Sequence, residues 1–162
     1  MTLALPLPAD YKLQFKTPSG KIEILNPRIE PQLPDYFPAH SEGDEGGFIL
    51  INAPDSRILD SSFNEREELT RGNIMTLQIN PAEAQRLGLS DGEQVLGKNS
   101  LGEAVFTLKV TDKVSCGTAV TEGVWWQEYT RRGNVNRLTS RRTTDKGDGS
   151  TFYDVRIDIT RI

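Results

Sequence analysis

With 162 residues the chain can form one compact domain around a single core, and it is too short for a large multidomain enzyme. A net charge of −4 leaves no basic excess for a nucleic-acid partner, and no apolar run approaches the roughly 20 residues that span a bilayer. A single cysteine, Cys116, excludes an internal disulfide or a Cys-rich iron–sulfur or zinc site within the chain, and a single histidine, His40, excludes a multi-His metal site.

The segment Met1-Thr2-Leu3-Ala4-Leu5-Pro6-Leu7-Pro8 has no basic start and is broken by prolines. It does not read as a secretion signal, so the expected location is cytoplasmic. Residues 12–15 and 21–25 flank Thr17-Pro18-Ser19-Gly20, and together they predict a hairpin. Residues 26–47 are rich in Pro, Gly and acid and predict an extended wrapping segment, with the domain proper starting at residue 48 and running to 162. His40 reads as a solvated loop residue there.

The apolar run Phe48-Ile49-Leu50-Ile51 predicts a buried strand, followed by a polar loop over residues 52–72. Residues 74–79 alternate as a strand. Asn80-Pro81-Ala82-Glu83 then supplies an N-cap, a proline at the first helical position and a glutamate placed for a capping box; Gly88 stops the helix. Turns at Ser90-Asp91-Gly92-Glu93, at Ser100-Leu101-Gly102-Glu103 and at residues 112–117 separate strands over residues 94–98, 104–110 and 118–121. Cys116 reads as a small, inert residue of the last turn, of a type that is commonly buried. Residues 125–150 are polar and poor in aliphatics, a loop-plus-helix excursion, and residues 155–159 alternate as a closing strand. Many short strands with one or two short helices predict a mainly β fold, a closed or nearly closed barrel.

Taken in order, several of these pieces resemble one family. Phe15-Lys16-Thr17-Pro18-Ser19-Gly20-Lys21-Ile22-Glu23 and Leu33-Pro34-Asp35-Tyr36 are similar to the entry of the C-terminal, molybdopterin dinucleotide-binding domain of the bis-guanylate molybdopterin oxidoreductases. That superfamily includes formate dehydrogenases, assimilatory nitrate reductases and dimethyl sulfoxide reductases. Asp60-Ser61-Ser62-Phe63, the Ile79-Asn80-Pro81-Ala82-Glu83-Ala84 helix start and Leu87-Gly88-Leu89-Ser90-Asp91-Gly92-Glu93-Gln94-Val95 resemble its later landmarks. So do Trp125-Trp126, Asn134-Val135-Asn136-Arg137-Leu138-Thr139, residues 145–149 and Thr151-Phe152 in the tail. The central module alone is shared by unrelated barrels; the ordered tail carries the resemblance.

The resemblance implies a double-psi β-barrel that grips a molybdopterin guanine dinucleotide (bis-MGD) with Mo or W. The metal ligand and iron–sulfur cysteines would lie in other domains of the parent oxidoreductase, or in its catalytic subunit, and these would be the partners. Alone, the chain would not be active. A small subunit of formylmethanofuran dehydrogenase type, a non-enzymatic interaction barrel and a pyruvoyl-type decarboxylase cleaving at Gly149-Ser150 are the rival readings; the last needs that dipeptide far from the chain's end. By resemblance, Asn52, Ala53, Ser61 and Ser62 approach the cofactor; an ordinary Asx/Ser turn competes. Trp125 and Trp126 stack on pterin or guanine, or at least one of them anchors the core. Asn136 with Thr139 reads a heterocycle edge, against a helix N-cap role. Arg137 contacts phosphate. Arg131, Arg132, Arg137, Arg141, Arg142 and Lys146 outnumber Glu128, Asp145 and Asp148, which suits pyrophosphate, an acidic neighbouring domain or a merely solvated loop. Asp60 stands where the family usually has Asn and is set aside, because a carboxylate repels phosphate.

Overall fold

The computed structural model describes residues 15–33, 35, 47–70, 75–144, 147–151 and 155–162. Contacts divide the chain into a unit of residues 1–38 and a unit of residues 39–162. The sequence boundary at 47/48 falls just beyond residues 36–46, which lie outside the described residues, as do His40 and residues 12–14 of the expected hairpin.

In the first unit the turn forms as its residues require. Gly20 takes φ +66°, its N–H donates to the Thr17 carbonyl at 3.0 Å, and the Thr17 hydroxyl donates to the Lys21 carbonyl at 2.6 Å. The expected strand over residues 21–25 does not form; Ile22, Ile24 and Leu25 are exposed in irregular chain. An isolated two-stranded hairpin has too little packing to hold itself, so a good turn does not guarantee strands.

The second unit is a closed six-stranded barrel. Its strands are β1 (Phe48–Ala53), β2 (Thr76–Ile79), β3 (Gln94–Lys98), β4 (Glu103–Val110), β5 (Thr118–Glu122) and β6 (Arg156–Arg161), in the order β1-β5-β2-β4-β3-β6. Two pairs run parallel: β1 with β5, registering Asn52 on Thr121, and β2 with β4, registering Leu77 on Leu108; the other neighbours are antiparallel. This is the closed barrel that the strand pattern implies and the double-psi barrel that the resemblance implies. Closure leaves no unpaired edge to protect.

Alternation decides what lies inside. Leu77, Ile79, Val95, Phe106, Leu108 and Ile157 fill the interior with almost no exposure. Each such side chain contributes about 1.5–3 kcal/mol of burial. β1 differs from the continuous buried strand expected of it. Phe48 and Leu50 point inward, whereas Ile49 and Ile51 are 40% and 45% exposed, because a barrel strand has only one buried face. Gly97 of β3 makes room for Phe106, whose ring lies 2.8 Å from where a Cβ would stand.

Helix α1 (Glu67–Thr70) interrupts the loop after β1 and was not expected; four residues carry too little periodicity to read. Helix α2 (Pro81–Leu87) begins and ends as its sequence requires. Asn80 accepts from the Ala82 N–H at 3.0 Å and Gly88 closes the helix at φ +65°. The capping box is not made. Glu83 instead pairs with Arg86 at 2.7 Å and accepts from the Gly117 N–H at 3.1 Å. That tie joins α2 to the turn before β5, where Cys116 is exposed rather than buried. Among the described residues no helix is long and apolar enough to cross a membrane.

Candidate functional site

The parallel pair β1/β5 ends side by side at Ala53 and Glu122, and the chain beyond both ends is laced together. Gly123 donates its N–H to the Ala53 carbonyl at 2.8 Å. It holds φ +74°, and a Cβ there would meet Ile58 at 2.8 Å, so only glycine fits. Asn64, fully buried, accepts from the Trp126 N–H at 3.0 Å and donates to the Val124 carbonyl at 3.4 Å. Asp55, also buried, holds Arg57 at 2.6 Å, and the guanidinium lies 5.7 Å from the centre of the Trp125 ring. The hydrogen bond from Arg57 holds the Asp55 carboxyl below its ordinary range, opposed by desolvation.

The second wall comes from the tail. A short 3-10 turn at Val135–Leu138 plants Val135 and Leu138 in the core with no exposure, which turns Asn136 and Arg137 outward. Asn99, in the β3–β4 turn, fixes this segment from beneath. Its Nδ2 donates to the carbonyls of Leu138 (2.9 Å) and Arg156 (3.1 Å), while its Oδ1 accepts from the N–H groups of Leu101 (3.0 Å) and Gly102 (3.2 Å). Gly102 lets the Arg137 carbonyl approach to 2.6 Å of its missing Cβ. Thr139 donates its hydroxyl to the Asn136 carbonyl at 3.0 Å.

Between the walls lies a cavity of about 530 Å³ lined by Asn52, Ala53, Pro54, Asp60, Gly123, Val124, Asn136, Thr139, Ser140, Arg141, Arg142, Thr143 and Ser150. A neighbouring cleft of about 560 Å³ shares Asn136, Thr139 and Arg141 and adds Arg137 with Leu101, Gly102 and Glu103. Both volumes suit a nucleotide-sized group. Among the described residues Arg132 is ion-paired with Glu103, while no ion pair engages Arg137 or Arg141. The site can therefore offer both amide and hydroxyl hydrogen bonds and cationic charge.

Of the residues singled out from sequence, Asn52, Ala53, Asn136 and Thr139 meet on the cavity wall, and Arg137 faces the adjoining cleft. Ser61 and Ser62 are exposed and lie off the wall; Ser61 uses its carbonyl to accept from the Trp126 indole N–H at 2.6 Å. Trp125 is 2% exposed, with its indole N–H on the Glu122 carbonyl at 2.9 Å. The stacking role does not fit this ring, which is a core anchor. Trp126, 37% exposed, stacks on Tyr129 at 6.3 Å between centroids and does not line the cavity. The N-cap alternative for Asn136 does not apply, since Asn134 occupies that position and Asn136 lies inside the turn.

Asp60, set aside earlier, does line the cavity, at φ +50° with its carbonyl accepting from the Val124 N–H at 3.3 Å. Electrostatic repulsion argued against a phosphate partner and said nothing about other parts of a ligand. Arg141 and Arg142 were visible only as members of a basic stretch, and Gly123 stands two residues before the Trp pair, where no motif marked it.

The family described as the molydopterin dinucleotide binding domain matches residues 48–156, which include strands β1 to β5 and only the first residue of β6. The chain is 33% identical over 154 residues to the probable oxidoreductase YoaE of Bacillus subtilis (strain 168), covering 92% of this chain and 22% of that protein. It is 26% identical over 170 residues to the dimethyl sulfoxide reductase DmsA of Escherichia coli (strain K12), covering 90% and 21%. The acetylene hydratase from Pelobacter acetylenicus has the same fold, with a TM-score of 0.70 at 19% identity over 90% of this chain and 24% of that one. The chain thus spans about a fifth of the length of these curated relatives. With two-thirds of its residues matched by one family model and its barrel complete, the chain belongs to the molydopterin dinucleotide binding domain family.

Proposed function

We propose that the chain holds a guanine nucleotide portion of bis-molybdopterin guanine dinucleotide in the cavity beyond β1 and β5, as one domain of a molybdenum or tungsten oxidoreductase. The observation that carries this reading is the composition of the cavity wall, where the amides Asn52 and Asn136 and the hydroxyl of Thr139 stand beside Arg141, with Arg137 in the adjoining cleft. The buried Oδ1 of Asn52 has no partner, so the hydrogen bonding of this wall amide is incomplete in the empty site. These residues fit a group that combines a polar heterocycle with phosphates.

Asn136 would meet the heterocycle edge, and Arg137 and Arg141 the phosphates. When bound, the cofactor supplies the redox chemistry at its metal; this chain's residues position it and set the charge around it. Two of the relatives named above are oxidoreductases by name, which favours electron transfer in the whole protein. Dimethyl sulfoxide reductase relatives make an S-oxide or N-oxide acceptor the substrate class to test before formate or nitrate. The remaining domains of the parent protein are the proposed partners, and the cytoplasm the proposed location.

Calorimetric titration with GDP at low ionic strength tests the reading. Micromolar-to-millimolar affinity that falls with added salt is expected, because ionic contacts are screened and ordering the loop opposes binding. Absence of any GDP binding at millimolar concentration would reject it.

A further inference from the structure

Two buried polar atoms on neighbouring strands lack partners, and one of them belongs to a residue of the cavity wall. Asn52 Oδ1 and Thr121 Oγ1 are each sealed from solvent with no hydrogen bond. Their residues are register partners in the parallel pair β1/β5, and both belong to the inward-facing set, Asn52 following Phe48 and Leu50, Thr121 following Ala119. Thr121 has no exposure at all, whereas Asn52 lines the cavity. Buried polar groups are almost always paired, because leaving one unpaired forfeits its hydration without return. An amide whose oxygen turns inward presents its NH₂ on the opposite side of Cγ. An unpaired Thr hydroxyl on the adjacent strand is the natural donor to that inward oxygen, and making that bond fixes which end of the amide faces out.

We propose that Asn52 is a specificity-determining donor for the ring carbonyl of a 2-amino-4-oxopyrimidine unit, with Thr121 the positioning residue that sets its amide when ligand fills the cavity. This rests on the function proposed above. The carbonyl-bearing unit is common to guanine and pterin, so either end of the dinucleotide can supply it. A donor facing the ligand accepts a carbonyl and rejects an amine at the same ring position. The site therefore favours guanine over adenine, and pterin over its 4-amino analogue, without a charged residue reading the base. Thr121 pays no part of this in the empty protein, where its hydroxyl is a liability.

The test measures two quantities on the full chain: melting temperature without ligand, and affinity for GDP, ADP, pterin and 2,4-diaminopteridine. The wild type should prefer GDP to ADP, or pterin to the diamino compound, by at least about tenfold, and whichever pair shows the preference identifies the source. Asn52→Leu should abolish that preference. Thr121→Val removes an unpartnered hydroxyl at nearly constant shape, so its melting temperature should hold or rise while the preference falls about five- to tenfold, the loss of one ordinary hydrogen bond. Thr121→Ser keeps the hydroxyl and loses a buried methyl, so it should melt lower and keep the preference. A Thr121→Val variant that melts lower with its preference intact would make the residue merely structural and overturn the proposal. Equal binding of both members of each pair in the wild type would also overturn it, leaving the proposed function standing. No binding of any of the four would overturn that function, and this inference with it.

Discussion

Asn136 and Arg137 are adjacent on one turn yet face different spaces, and their variants should differ accordingly. Asn136 stands on the wall between the cavity and the cleft, so Asn136→Ala should weaken GDP binding several-fold and leave pyrophosphate nearly unchanged. Arg137→Ala should weaken both and flatten the salt dependence; titration calorimetry at two ionic strengths separates the two patterns. Asp55 gives a prediction of the opposite kind, about the scaffold. Its carboxyl titrates below its unfolded value because Arg57 donates to it. A depressed carboxyl stabilises the fold fully above the unfolded pKa of about 3.9, and that contribution disappears as pH falls through the lower folded value. Asp55→Asn should therefore cost on the order of 1 kcal/mol at pH 7, discounted for the half-exposed Arg57, and less at pH 2. Urea denaturation at the two pH values measures the difference.

At the scale of elements, the loops beyond β1 and β5 are held by residues that never touch the cavity. Trp125 fills the core beneath them, and Asn64 ties one to the other. Trp125→Ala should cost about 3–5 kcal/mol by thermal or chemical denaturation. Gly123→Ala should both destabilise and disorder the cavity floor, since its φ of +74° and the contact with Ile58 leave no room for a Cβ. Sequence made some of this plain and hid the rest for physical reasons. Strands β3 to β5 and helix α2 announced themselves through alternation, tight turns and the Asn80-Pro81 and Gly88 caps, because those signals are local. The division of labour between Trp125 and Trp126 was not legible in full: adjacency in a strand-like segment says that one ring is inward, and only the lacing by Glu122 and Ser61 says which. The same holds for Asn99, whose amide donates to the Leu138 carbonyl at the end of the Asn136 turn from 39 residues away, beyond any motif. Residues 21–25 show the converse, a strand pattern that stays irregular chain, with residues 12–14 of its expected partner outside the described residues.

For the whole molecule, a closed barrel with its own apolar interior should fold before it binds anything. Melting of the isolated chain should be insensitive to chelator, and the isolated chain should show no turnover with sulfoxide, formate or nitrate; reproducible turnover after cofactor is added without other domains would contradict the division of labour described above. The family match and the fold make the chain a molybdopterin dinucleotide-binding domain, and the cavity beyond the parallel pair β1/β5 is the site proposed for that binding. The most direct measurement is a two-dimensional amide NMR titration with GDP at low ionic strength. Shifts should cluster at Asn52, Ala53, Gly123, Asn136 and Thr139 and spread to Arg137 and Arg141, and Asn136→Ala should diminish them. Shifts confined to the opposite end of the barrel, around α2 and the turn before β5, would contradict the account.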